Sequence, residues 1–344
     1  MLTEAAERIR DSLARCWQEA LGRDGFRLAE AVPFYLREME INRRVDVVRN
    51  KTILDRHLVP FFGDLRLRQI TREQGYAYIE HRRKEGAADG TIKREWNVLR
   101  ALLNCAVNHD CLDKNRLKAI QLPQGNKRER TLSPEEWVRL HCSLAKVRPG
   151  RDYWAAFDAL RVMDVGLNIG LRLEKLLAIE GRDIVQTPEG WVLRISKARS
   201  PTKRNPEVIP LNAQALWMLG YHLDDLGAGG WPPGRVFSRW KGEGSFKHLW
   251  RRIVKRAGIE DLHFHDMRHT FSTMLQNLRV SEETRDLLFG GRRGHTAYYS
   301  HGGRSQMREA VNKLAEAWQV VALLVPRDRI ELSTPAFSGL CSAN

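Results

Sequence analysis

Residues 263–275 read HFHDMRHTFSTML, and the reading of this stretch decides the rest. It predicts a helix over Asp266–Leu278, with His265 and Arg268 at its head. The pair alone carries little weight. A His followed by Arg three residues later also occurs at His248/Arg251 and His301/Arg304. What is specific is the order of the features on either side. Upstream, Arg172 lies in NIGLRLEKLLAI (168–179), at the start of a predicted helix. Lys203 lies in ARSPTKRNP (198–206), a turn-forming basic loop between two predicted strands, WVLRIS (191–196) and EVIPL (207–211). Downstream, Tyr298 and Tyr299 lie in GHTAYYSH (294–301).

Further out, residues 26–120 read as mostly helical. Ile92, Trp96, Leu99, Leu103 and Ala106 recur at helical spacing, with Thr91 as the expected N-cap. Lys93, Arg94 and Arg100 fall largely outside that stripe, as a solvated face or as a basic face for phosphates. An earlier helix is expected over Asn50–Phe61. The segment QLPQGNKRERTLSPEE (121–136) is polar and basic and reads as a linker, with Ser133 and Glu136 as a capping box opening the second domain. Helices are expected at Trp137–Ala145, Trp154–Ile169, Ala213–Leu226 and Ser245–Ala257. Met307, Ala310, Val311, Leu314 and Trp318 make a late amphipathic stripe. The boundaries are a leader at 1–25, a helical domain at 26–120, a linker at 121–130, a second domain at 131–318 and a tail at 319–344, expected to be disordered.

Composition narrows the function. The 344 residues hold 57 Lys and Arg against 42 Asp and Glu, a net charge of +15. Between Arg43 and Arg130 there are 20 basic and 11 acidic residues, an excess of nine. Such a balance points to a polyanion such as nucleic acid. Cys16, Cys105, Cys111, Cys142 and Cys341 form no CxxC pair and are odd in number. They argue for reduced thiols in a cytoplasmic protein, against a disulfide frame or a zinc site. The first residues lack an apolar signal core, and no apolar run is long enough for a membrane span.

These strings resemble the tyrosine site-specific recombinase (phage integrase) family. The match lies in GLR with LLAI and Asp183 following, the hairpin lysine before VIPL, HDMRHTFSTML, and Tyr-Ser-His. It extends to HLVPFFGDLRLRQIT (57–71) and DGTIKREWNVLRALLNCAV (89–107) in the first domain. The resemblance implies a mainly α (α+β) fold. A helical core-binding DNA domain would join a mixed, mainly helical catalytic domain with a small β-hairpin. It also implies cleavage without metal or cofactor. Arg172 and Arg268 would clamp the scissile phosphate, since a planar guanidinium fork binds phosphate bidentately and stays charged. Tyr299 would attack phosphorus and form a 3′-phosphotyrosine. Lys203 would protonate the leaving 5′ oxygen, and His265 would act in general acid/base catalysis or orient the phosphate. Lys197 is the alternative lysine and Tyr298 the alternative nucleophile. The implied partners are double-stranded DNA attachment sites, a homotetramer on DNA and accessory DNA-bending proteins. The stripe from Met307 to Trp318 is expected to pack against a neighbouring protomer.

Two positions depart from the family pattern. Lys175 stands where a Glu is usual, with Glu174 one residue early. Counting back nine residues from Tyr299 gives Gly290, where the family has a second active-site His or Trp; His295 is the nearby histidine. Gly290 supports a rival reading, a recombinase relative that only binds DNA, as a regulator or remnant. A type IB topoisomerase shares the chemistry, but the helical first domain points to an integrase.

Overall fold

The longest amphipathic stripe of the first domain builds a helix, and the other helices there pack around it. The computed structural model describes residues 26–122, 128–195, 208–220, 231, 234–290 and 301–323. The chain separates into two units, with the break between Lys127 and Arg128.

In the first unit, α1 spans Leu28–Ile41, α2 Val47–Ile53, α3 Val59–Phe62, α4 Arg72–Lys84 and α5 Asp89–Asn108. A π-helical stretch, Leu54–Leu58, joins α2 to α3, so the expected helix over Asn50–Phe61 is present with an earlier start and a π insertion. All five stripe residues of α5 are buried, with Trp96 and Leu99 fully enclosed. Thr91 is not the cap: α5 begins at Asp89, after an extended Ala88, and Thr91 lies inside its first turn. Asp89 puts a carboxylate at the positive helix end, the electrostatic role a cap would share. One buried acid sits in this core. Glu95 accepts hydrogen bonds from Tyr78 (2.7 Å) and from two nitrogens of Arg82 (2.9 and 2.8 Å), which satisfies its charge away from water.

In the second unit, the capping box forms as expected. The Glu136 amide donates to the Ser133 hydroxyl (3.2 Å) and the Ser133 amide to the Glu136 carboxylate (3.1 Å), opening α6 at Pro134–Cys142. α7, Arg151–Ile169, is buried on every side along its second half, from Ala159 to Ile169. The short α8, Leu173–Leu176, follows, then an antiparallel sheet of three strands, β1 Ile184–Thr187, β2 Gly190–Arg194 and β3 Val208–Pro210. The hairpin reading named β2 and β3 but missed β1, whose four residues alternate too briefly to stand out. Register pairs Ile184 with Leu193 and Val192 with Pro210. Pro210 donates no ladder bond, which β3 tolerates as an edge of this sheet. α9 (Ala213–Gly220), α10 (Glu243–Arg256), α11 (Asp266–Asn277), α12 (Glu282–Leu288) and α13 (His301–Leu323) complete the described elements.

The stripe on α13 corrects an expectation. Met307, Ala310, Val311, Leu314 and Trp318 are buried in the core of their own unit rather than left for a neighbour. Polar bonds hold the helix there. Arg308 donates to the carbonyls of Leu211 (3.0 Å) and Trp191 (2.9 Å), and the Asn212 amide to that of Val311 (2.8 Å). These bonds satisfy the polar groups that flank the buried stripe within the same unit.

Candidate active site

The site is built where α7 ends and α11 begins. α7 terminates at Gly170 in the left-handed conformation (φ 64°), its amide donating to the Gly166 carbonyl at 2.9 Å. A Cβ there would lie 2.2 Å from the Phe271 ring of α11, so both conformation and space call for glycine. The chain then turns sharply, and Arg172 becomes the extended N-cap residue of α8. This explains the GLR string: the glycine lets α7 and α11 approach, and the arginine two residues on sits at the N-cap of the next helix, α8.

Across from it, α11 is tied down by Asp266. This carboxylate is fully buried and accepts from two nitrogens of Arg128 (2.7 Å each) and from the His263 amide (2.7 Å). Thr270 bonds the Asp266 carbonyl at 2.8 Å and receives the Leu132 amide at 2.8 Å. The aspartate of the HDMRHTF string is therefore structural. It fixes the helix end that carries His265 and Arg268 and ties it to the residues opening the unit.

Arg268 reaches across to donate to the Gly170 carbonyl, and its guanidinium lies over the Phe289 ring, 4.3 Å from the centroid. Phe289 also contacts Phe271 at 5.5 Å. Burial, and then the positive charge of Arg172, push the Arg268 guanidinium down to about 10. It remains a cation at neutral pH. Among the described residues no carboxylate pairs with it. A buried cation beside a second cation is destabilised until an anion arrives, so the arrangement favours a phosphate. His265 sits exposed at the rim, its ring 5.1 Å from that of His269. Partial loss of hydration, then the charges of His269, Arg268 and Arg172, hold its imidazole below the ordinary range.

The structure thus brings Arg172, His265 and Arg268 into one electrostatic cluster. Lys203 and Tyr299, with the alternatives Lys197 and Tyr298 and the nearby His295, lie outside the described residues. Lys93, Arg94 and Arg100 lie on α5 in the other unit: Arg94 is exposed, and the other two are half-buried. Phe289 escaped the sequence reading, because an aromatic next to a helix end carries no signal of its own.

Residues 151–301 match the model of the phage integrase family. That segment is similar to the phage integrase family. The matched segment contains all five candidate catalytic positions and ends two residues after Tyr299. The integrase of Salmonella phage P22 is 28% identical over 206 residues, 55% of this chain and 48% of that protein. The chain therefore spans about half the length of that relative. The fold of the Tn1549 transposon integrase (residues 82–397, with circular intermediate DNA) is similar, with a TM-score of 0.58 at 17% identity over 83% of this chain and 99% of that one. A lambda integrase tetramer bound to a Holliday junction gives 0.60 at 15% identity, over 79% of each chain. Against that background two positions of the matched segment stand out. Lys175 is buried, with its ammonium 3.8 Å from Glu174. Gly290 follows α12 at φ 92°, a conformation that side-chain-bearing residues rarely adopt.

Proposed function

We propose that this chain is a tyrosine recombinase that cuts and rejoins double-stranded DNA at specific sites, integrating or excising a phage or mobile element. The observation that carries this reading is the cluster of Arg172, Arg268 and His265 inside a phage integrase domain. The two guanidinium groups grip the nonbridging oxygens of the scissile phosphate and neutralise the charge that grows there in the transition state. Tyr299 attacks phosphorus, and the 3′-phosphotyrosine keeps the energy of the broken bond, so religation needs no nucleotide. A free phenol titrates near 10, and neighbouring guanidinium groups ease its ionisation. Lys203 delivers a proton to the departing 5′ oxygen. His265, neutral at pH 7, moves a proton or orients the phosphate. Neither a metal nor a cofactor takes part.

Lys93, Arg94 and Arg100 contact the DNA backbone from the first unit. The working assembly is a homotetramer on two DNA sites in the cytoplasm, with DNA-bending proteins as accessory partners. The lambda integrase tetramer on a Holliday junction supports that assembly by analogy of fold. Among the described residues no helix is long and apolar enough to cross a membrane.

A nicked suicide substrate carrying the attachment site tests the reaction. Wild-type protein accumulates a covalent protein–DNA adduct, and Arg268→Ala loses it while keeping DNA affinity. Site-specific binding without any adduct would instead favour a relative that only binds.

A further inference from the structure

The first unit contains a group of side chains that recombination does not use. Cys105 lies on α5 and His109 caps it, one turn apart on one face, since the His109 amide bonds the Cys105 carbonyl at 3.2 Å. Glu38, from the last turn of α1, comes in from far away in sequence. Its carboxylate lies 2.8 Å from the Cys105 sulfur and 2.8 Å from His109 Nε2. The three donor atoms all lie within 4.8 Å of one another. Cys105 is buried, while the Glu38 and His109 side chains keep 28% and 16% of their surface, which leaves a way in from solvent.

The surroundings suit a cation. α1 and α5 both direct their C-terminal, negative ends here, and neither has a basic residue in its last turn. The donors are one soft sulfur, one imidazole nitrogen and one carboxylate oxygen, the mixture that zinc accepts and that magnesium or calcium does not. A thiolate and a carboxylate together carry the charge that neutralises a divalent ion. Tetrahedral bonds of about 2.0–2.3 Å place ligand atoms about 3.3–3.8 Å apart, so the present 2.8 Å contacts need open by only a few tenths of an ångström to about 1 Å.

We propose that Glu38, Cys105 and His109 form a zinc site that pins the end of α1 to the end of α5. The sequence reading expected no metal, because the cysteines form no close pair; Glu38 is invisible to such a reading, being brought in only by the fold. On binding, Cys105 releases its proton to water, His109 offers the lone pair of Nε2 with its proton on Nδ1, and Glu38 gives one oxygen. Solvent fills the fourth position. The role is structural: a clamp on the helix that carries Lys93, Arg94 and Arg100.

Cobalt(II) is the probe, because its thiolate complexes absorb in the near ultraviolet through charge transfer. Full-length protein, stripped with chelator and kept reduced with a phosphine, is titrated with Co²⁺. The expected result is one Co²⁺ per chain with a thiolate band that Zn²⁺ bleaches. Cys105→Ser abolishes the band, and Cys142→Ser, in the other unit, retains it. His109→Gln keeps the thiol and weakens Co²⁺ binding about tenfold or more. Should Cys105→Ser misfold, His109→Gln and Glu38→Gln still decide. Absence of a thiolate band in wild type, a band surviving in Cys105→Ser, or unchanged affinity in His109→Gln would each overturn the site.

Discussion

Arg268 is held at once by the Gly170 carbonyl and the Phe289 ring, so its fork is fixed before any anion arrives. Arg172→Ala and Arg268→Ala should each slow cleavage by about 10²–10³, the range for losing one donor to transition-state charge. Single-turnover cleavage on a nicked site measures this; a loss under tenfold would remove that arginine from the phosphate clamp. Gly170→Ala forces a Cβ into Phe271 at a left-handed turn, and a loss of about 1–3 kcal/mol or more is expected in denaturant unfolding. Partial loss of hydration and the neighbouring positive charges hold His265 below its ordinary value of about 6.5. The neutral ring is therefore the form present at pH 7, and protonation on acidification works against the folded site. Cleavage should rise with pH through a midpoint below about 6.5 and then level off, and His265→Asn should flatten that limb. A midpoint above 6.5 would contradict it. That Arg172, His265 and Arg268 belong together was expected from the distinctive strings they sit in, and the structure does bring them near one another. Phe289 was not, since its role exists only once α12 is folded against α11. Gly290 shows the converse. The sequence shows a missing histidine, while the backbone shows a left-handed turn, so Gly290→His should lower thermal stability rather than simply restore a catalytic group.

Among the elements, helices with long stripes were read correctly, as were the short α8, β2 and β3, while β1 and α12 were missed. The α5 stripe and the capping box of α6 carry local signals that survive without tertiary context. β1 and α12 are four and seven residues long, and each takes its identity from what it packs against. The partner of the α13 stripe could not be read from an amphipathic pattern, which says that a face is buried but not by what. In the structure that partner is the helix's own unit. Leu314, fully buried there, gives the test. Leu314→Ala should cost about 2–5 kcal/mol in the DNA-free protein, with a melting temperature independent of protein concentration. A concentration-dependent loss would instead mean that the helix is shared between copies.

At the scale of the whole molecule, charge and chemistry divide between the two units. The basic excess between Arg43 and Arg130 belongs mostly to the first, and the arginine cluster to the second. If the first unit grips the duplex through phosphates, log K against log salt should be linear, falling by about 0.9 for each phosphate contacted. Replacing Lys93, Arg94 and Arg100 together by Ala should make that slope shallower by up to about 2.7. An unchanged slope would place the DNA elsewhere. The enzymatic reading rests on a covalent bond to one residue. The direct measurement is to trap wild-type protein on a nicked suicide attachment site, digest the adduct and map the nucleotide-bearing peptide by mass spectrometry. The account predicts the 3′-phosphate on Tyr299, with the adduct absent in Tyr299→Phe and retained in Tyr298→Phe. An adduct on any other residue, or none from wild-type protein that binds the site, would contradict it.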